Sequence, residues 1–326
     1  MNEIVVVTGA SGGVGRAVAR RFGREGATVA LLARGEAGLA AAAADVTAAG
    51  GRALPMTVDT ADAIAVEEAA SVVERDLGPI DVWVNNAMAT VFAPLGDVTP
   101  EEYRRATEVT YLGTVWGTMA ALRRMRARDR GSIVQVGSAL SYRAIPLQAP
   151  YCGAKFAIRG MTDSLRTELL HERSRVRVTM VQLPGLNTPQ FDWGRTKLPR
   201  RPRPMAPVFQ PEVAADAIHW AAHHDRRELW VGWRSVLTMV GAKFAPAVLD
   251  HVLARIGFDG QQRAEPIDDG RADNLHSPAD AEDDFGVHGA FGAEAITHSR
   301  QLSLAMARPS GLLSRPLGAV LARVLG

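Results

Sequence analysis

The stretch Ile4-Val5-Val6-Val7-Thr8-Gly9-Ala10-Ser11-Gly12-Gly13-Val14-Gly15 decides the fold. Its opening run is apolar and β-branched with no polar alternation. That reads as a strand buried on both faces, as in a parallel sheet. The glycines follow at once, and a helical pattern opens from Val14 through Phe22. Strand, glycine loop and helix together present bare backbone amides and a helix N-terminus, an arrangement that suits a phosphate. Gly9 permits the tight turn, Gly13 lets the backbone approach a pyrophosphate, and Gly15 lets the helix pack close to the strand. Ser11 and Gly12 complete the loop. The spacing is Gly-x-x-x-Gly-x-Gly rather than Gly-x-Gly-x-x-Gly.

Downstream, strand and helix patterns alternate. Strands are expected at 27–33, 54–58, 80–84, 132–136, 176–181 and 228–231, with helices at 35–49, 61–77, from Thr99 to about Met125, from Pro150 and at 212–222. Thr99 and Glu102 form a capping-box pattern. Alternation at this spacing predicts an α/β fold: a doubly wound parallel sheet, or Rossmann fold, flanked by helices. The expected catalytic domain is 1–235, followed by a helical and irregular C-terminal extension, 236–326.

The second strand ends at Arg34. Nucleotide-binding folds of this kind place an acid there for a ribose hydroxyl, whereas an arginine can grip a 2′-phosphate. The bland alternative is a solvated strand-end arginine. Asp59, at the end of the third strand, could accept from an adenine amino group or cap the next helix. Asn85, Asn86 and Ala87 follow the fourth strand, where asparagine amides can brace the strands around a cleft.

Tyr151 and Lys155 stand one turn apart on a predicted helix, so they share a face. A free tyrosine has a pKa of about 10, and a neighbouring ammonium should lower it. Ser138, at the end of the fifth strand, could hydrogen-bond the same reacting oxygen. Cys152 reads as packing, and one cysteine can form neither an internal disulfide nor a multi-cysteine metal site.

Taken together, Thr8 to Gly15, Asp59, Asn85-Asn86-Ala87, Ser138, Tyr151 with Lys155, and Pro184-Gly185 with Thr188 resemble the short-chain dehydrogenase/reductase family over about residues 1–235. The resemblance implies that Tyr151 is the general acid in reduction and the base in oxidation. Ser138 polarises the carbonyl, and Lys155 lowers the tyrosine pKa and binds the nicotinamide ribose. Pro184 to Thr188 seat the nicotinamide, and Asn86 and Ala87 line the cofactor cleft. A basic residue matching Arg34 implies NADP(H) over NAD(H). Met88 stands where the family has glycine. Thr110 stands where it has a catalytic asparagine, and its hydroxyl could still hold a relay water. Family members are dimers or tetramers through helices matching Glu101–Met125 and Pro150–His171, so a homo-oligomer is expected.

The expected activity is an NADP(H)-dependent oxidoreductase interconverting a carbonyl and a secondary alcohol. The alternative is a dinucleotide-binding sensor or scaffold with little turnover. Leu140, Ile145, Leu147, Phe191 and Trp193 are candidates for an apolar substrate wall. Residues 195–203 carry five cations and no acid, reading as a solvated lid loop or a site for an anionic substrate or membrane surface. Residues 259–284 carry nine acids and two arginines, so a flexible segment is expected. Beyond Pro316, apolar residues recur at helical spacing, suggesting docking on protein or, second, on a membrane surface. Hydrophobic content of 47%, charge content of 22% and a net charge of +2 fit a soluble globular chain with no general pull toward nucleic acid. No signal peptide or spanning helix is read, and a cytoplasmic location is expected.

Overall fold

Seven parallel strands carry the fold in the computed structural model, which describes residues 2–268 and 270–307. They are β1 (Ile4–Thr8), β2 (Thr28–Ala33), β3 (Arg52–Thr57), β4 (Val82–Asn85), β5 (Ser132–Ser138), β6 (Arg177–Leu183) and β7 (Glu228–Trp230). Their order in the sheet is β7-β6-β5-β4-β1-β2-β3. Val7 pairs with Leu31 on one side and Val84 on the other. The order reverses beside β1, and this opens a crevice at the C-terminal ends of the strands.

The apolar run in β1 is explained by burial on both faces. Val5 and Val7 join a core shared with α1 (Gly13–Gly23), α2 (Glu36–Ala48) and, later in the chain, Pro211–His223. Ile4 and Val6 join the opposite core with α3 (Ala63–Asp76) and the Leu165 and Leu169 side chains. Each such side chain contributes about 1.5–3 kcal/mol by leaving water.

The long helix expected from Thr99 is interrupted. Its capping box is present: Thr99 Oγ1 accepts from Glu102 N at 3.2 Å, and Glu102 Oε2 accepts from Thr99 N at 2.9 Å. After α4 (Pro100–Thr107), however, Glu108–Leu112 widens into a π turn before α5 (Gly113–Ala127) resumes. Such turns insert one residue into a helix and cluster at functional sites. The helix bearing Tyr151 is α6 (Ala149–His171), and α7 is Pro211–His223.

The C-terminal extension differs from its expected loose state. Helices α8 (Trp233–Phe244) and α9 (Pro246–Ile256) leave Phe244 and Val248 exposed, yet they dock on the domain: α8 buries Ser235 and Met239, and Asp250 of α9 pairs with Arg143. The acidic stretch that follows is held down. Gln262–Pro266 pairs antiparallel with Arg200–Pro202. Leu275, Val287, Phe291 and Leu302 are buried in the clusters of the domain itself. The five lid cations are not free either. Arg195 pairs with Glu102 and Asp273, Lys197 with Glu102, Arg200 with Asp259, Arg201 with Asp268, and Arg203 with Glu294. Acids of the extension, together with Glu102, neutralise the lid, which explains why neither stretch behaves as it reads alone. The helical pattern beyond Pro316 lies outside the described residues. Among those described, no helix is long and apolar enough to cross a membrane.

Candidate active site

The glycine loop forms the floor of the crevice. Gly9 has φ +65°, a backbone conformation that disfavours any other residue, and a Cβ there would come within 2.8 Å of the Ala87 Cα. Gly13, at φ +53°, presses against Thr188. A Cβ on Gly15 would collide with the Gly9 carbonyl, so the glycine sets the contact between α1 and β1. Thr8 ties this loop to the end of β4. Its Oγ1 accepts from the Asn86 and Ala87 amides at 2.9 and 3.0 Å, while Asn86 Nδ2 donates to the Thr8 and Gly9 carbonyls. Asn85 is a pure brace, donating to Thr118 Oγ1 and Gln135 Oε1 at 3.0 Å each.

Ser138, Tyr151 and Lys155 come together at the other end of the crevice. Ser138 ends β5, accepts from Leu140 N at 3.1 Å and hydrogen-bonds the Tyr151 hydroxyl. Lys155 is buried, its Nζ 5.4 Å from the Tyr151 ring centroid, and it donates to the Val136 carbonyl at 2.6 Å. The expected fall in the tyrosine pKa is not found. Burial raises the phenol above its ordinary value, with the Ser138 hydrogen bond opposing, and keeps it protonated. Burial also lowers the Lys155 ammonium to about 8. Lys155 therefore gives up charge stability to its own burial, a cost not visible in the spacing. Cys152 is packing: its thiol is buried and pushed up to about 11.

Thr110 sits in the π turn and is fully buried. Its hydroxyl donates to the Ala89 carbonyl and accepts from the Ala89 amide, both at 2.9 Å. That tether to the backbone after Ala87-Met88 takes the hydroxyl's one donor and one of its two lone pairs.

The Arg34 end of the crevice is the part least like its expectation. Asp59 Oδ1 accepts from Ala61 N at 3.0 Å, and Oδ2 pairs with Arg105. Arg34 donates to the main-chain carbonyls of Asn274, Leu275 and His276. Its guanidinium is lowered by burial, against the pull of Asp59. Gly13 N donates to Gly286 O at 3.1 Å, and the Trp193 ring lies so close to Gly12 that a Cβ there would come within 2.9 Å of it, with Phe285 edge-on to the indole. These extension residues were not foreseen. Only the density of acids after residue 259 hinted that the tail would seek a basic surface.

One cavity of about 360 Å³ joins both ends. Its lining runs from Arg34, Val58 and Asp59 past the glycine loop to Ser138, Tyr151 and Lys155. Val14, Asn86, Ala87, Pro184, Gly185 and Thr188 all line it. A long cleft with a glycine cradle at one end and a proton donor at the other fits an extended dinucleotide. Leu140, Ile145, Phe191 and Trp193 also line the cavity. Leu147 does not; it is buried against Phe92 and Phe191 instead. Among the described residues there is no cluster of side chains that could hold a metal ion.

A family model described as short chain dehydrogenase matches residues 3–197. The uncharacterized oxidoreductase YxnA of Bacillus subtilis is 32% identical over 81% of this chain and 75% of its own length. Among solved structures, an alcohol dehydrogenase of the archaeon Thermococcus sibiricus complexed with 5-hydroxy-NADP is 28% identical, with a TM-score of 0.61, covering 71% of this chain and 96% of that one. A metagenomic short-chain oxidoreductase in complex with NADP is 29% identical, with a TM-score of 0.60, covering 70% and 96%.

Proposed function

The chain belongs to the short-chain dehydrogenase family, and from that premise we propose that it interconverts a carbonyl compound and a secondary alcohol with a nicotinamide dinucleotide. The observation that carries this reading is the Ser138, Tyr151 and Lys155 group at one end of a cavity whose other end is the glycine loop. A pure binding or sensing protein has no need of that group.

The bound nicotinamide supplies or accepts the hydride. In reduction Tyr151, held protonated by burial, gives its proton to the developing alkoxide. Ser138 donates to the same oxygen and draws charge onto it. Lys155, as an ammonium, offsets the phenolate left behind. In oxidation the same groups run in reverse, with Tyr151 as base. Gly9, Ser11, Gly12, Gly13, Val14 and Gly15 would hold the pyrophosphate at the start of α1. Asn86, Ala87, Lys155 and Tyr151 would flank the nicotinamide ribose, and Pro184, Gly185 and Thr188 would seat the ring. Two structural neighbours hold NADP or its 5-hydroxy derivative, which supports a nicotinamide dinucleotide; Arg34, which reads as an NADP(H) residue from its position, is covered by the carbonyls of residues 274–276. Asp59 lines the adenine end. The apolar wall of Leu140, Ile145 and Phe191 supports an apolar substrate. Met119 on α5 and Phe156 on α6 are exposed, which supports a homo-oligomer through those helices.

The test is dinucleotide oxidation, followed by absorbance, across hydrophobic aldehydes and ketones, with wild type beside Tyr151→Phe. Turnover that falls by roughly 10²-fold or more in the variant, with dinucleotide binding intact, is the expected result. Equal turnover in the two proteins would remove Tyr151 from the chemistry.

A further inference from the structure

Given a dinucleotide in the cavity, as proposed above, its adenosine ribose lies at the C-terminal end of β2. Folds of this kind keep either an acid there for the 2′-hydroxyl or an arginine for a 2′-phosphate. This strand is followed at once by an arginine, Arg34, and carries no acid. The extension alters the position in two ways.

First, it covers the groups a 2′-phosphate would use. Arg34 Nη1 donates to His276 O at 2.9 Å and to Leu275 O at 3.4 Å, and Nη2 donates to Asn274 O. Two amides of the first turn of α2, Ala37 and Gly38, donate to the carbonyls of Ala281 and Asp280 at 3.2 Å each. The crossing is firmly held. Leu275 is fully buried, and its carbonyl also accepts from Arg105 Nε at 3.1 Å. An arginine fork and a helix N-terminus are the usual means of gripping a phosphate, and both are engaged by main-chain carbonyls.

Second, it brings in a carboxylate. Asp280 lies against Gly35 and Gly38, so that a Cβ on either glycine would run into its carboxylate; the one on Gly38 would lie 2.5 Å from Oδ2. The residue is only 7% exposed and lines the cavity. Among the described residues no hydrogen-bond donor reaches its side chain, Oδ2 is buried without a partner, and the Arg34 guanidinium is near enough to feel its charge without bonding it. A buried carboxylate without a donor is costly. The cavity beside it is where a donor can enter. A ribose 2′-hydroxyl is such a donor. A 2′-phosphate brings negative charge and acceptor oxygens only.

We infer that Asp280 supplies, from the C-terminal extension, the ribose-facing acid that β2 lacks, and that this chain takes NAD(H) in preference to NADP(H). Arg34 is then the clamp of the crossing segment rather than the reader of a phosphate. The NADP of the two structural neighbours does not oppose this. Both are matched over 96% of their own length yet cover only 71% and 70% of this chain, so the present chain has a large part that they lack.

The experiment is calorimetric titration of the full chain with NADH and with NADPH, which needs no substrate. Wild type is expected to bind NADH roughly tenfold tighter or better. Asp280→Asn keeps the shape and removes the charge; it should weaken NADH and strengthen NADPH, each by roughly threefold to tenfold. Asp280→Ala is a second variant with the same expected direction, and a thermal melt checks that each is folded. Tighter NADPH binding by wild type overturns the inference without any variant. So does an NADH-to-NADPH ratio that moves less than about twofold in both variants. Wild type that binds neither dinucleotide sinks the oxidoreductase reading itself, whereas binding that is indifferent to Asp280 sinks only this one.

Discussion

The backbone amide of Phe291 donates to the side-chain oxygen of Asn187 at 2.9 Å, buried and across 104 residues of chain. Asn187 belongs to the Pro184–Thr188 loop that lines the cavity, and its Nδ2 donates to Gln210 Oε1 at 3.0 Å. The extension is therefore fastened at both ends of the crevice, at Asn187 and at Arg34.

Asn187→Ala tests the first fastening. It leaves the Phe291 amide and the Gln210 oxygen without that partner in buried surroundings, at an expected cost of about 2–4 kcal/mol. Urea unfolding measures it. A loss below about 0.5 kcal/mol would mean the two segments are not joined as described.

Glu102 should behave as the electrostatic hub of the lid. It is buried, accepts from Lys197 at 2.8 Å and Arg195 at 3.0 Å, and closes the capping box of α4. Burial pushes its pKa up, but Lys197, the Thr99 amide and Arg195 outweigh that and hold the carboxyl below its ordinary 4.5. A depressed acid contributes stability above its unfolded pKa and loses it as pH falls through the folded one. Glu102→Gln should therefore cost about 2–4 kcal/mol at neutral pH, with the gap to wild type closing below about pH 4.5. A gap of the same size at pH 3 and pH 7 would contradict the charge pairing.

Thr110 separates a structural tether from a proton relay. Thr110→Val strips the Ala89 amide and carbonyl of their hydroxyl partner and should cost about 1–3 kcal/mol, while Thr110→Ser should keep most of the stability. The pH dependence of turnover should stay as in wild type for both variants. A shifted pH profile in Thr110→Val would restore the relay role.

The parts that were legible in the sequence are those fixed by neighbours along the chain. A β-branched run before a glycine loop leaves little choice but a buried parallel strand, and Tyr151 with Lys155 one helical turn apart places both in one cleft. Gly9, with its positive φ, and Gly15, against the Gly9 carbonyl, hold the conformations their spacing implies. What escaped depends on distant partners. Arg34 reads as a phosphate clamp until the carbonyls of Asn274–His276 meet it, some 240 residues away. The lid cations and the acids of the extension are each visible as composition, but composition does not say which charge meets which. The π turn at Thr110 adds a residue to a helix whose pattern continues unbroken on both sides. The rise in the Tyr151 pKa is an effect of burial, which spacing does not report.

Lys155 yields the last prediction, in which function and stability pull apart. Its ammonium is buried, held by the Val136 carbonyl at 2.6 Å, and lowered by burial from 10.5 to about 8. A base with a depressed folded pKa destabilises the fold in its charged form. The unfolded chain binds the extra proton between about pH 8 and 10.5, so this cost is fully present below pH 8 and is relieved as pH rises through that window. Lys155→Met keeps the stem and removes the charge, at the loss of one hydrogen bond. Without dinucleotide it should be more stable than wild type by about 1–3 kcal/mol at pH 7, a shift of roughly two pKa units less the lost bond. That advantage should shrink as pH approaches 10. Turnover should fall by roughly 10²-fold or more in the same protein, since the phenolate of Tyr151 loses its neighbouring cation. Paired denaturation at pH 7 and pH 9.5 decides the matter. A variant less stable than wild type at pH 7, or a difference that ignores pH, would show that the buried ammonium is not a burden on the fold.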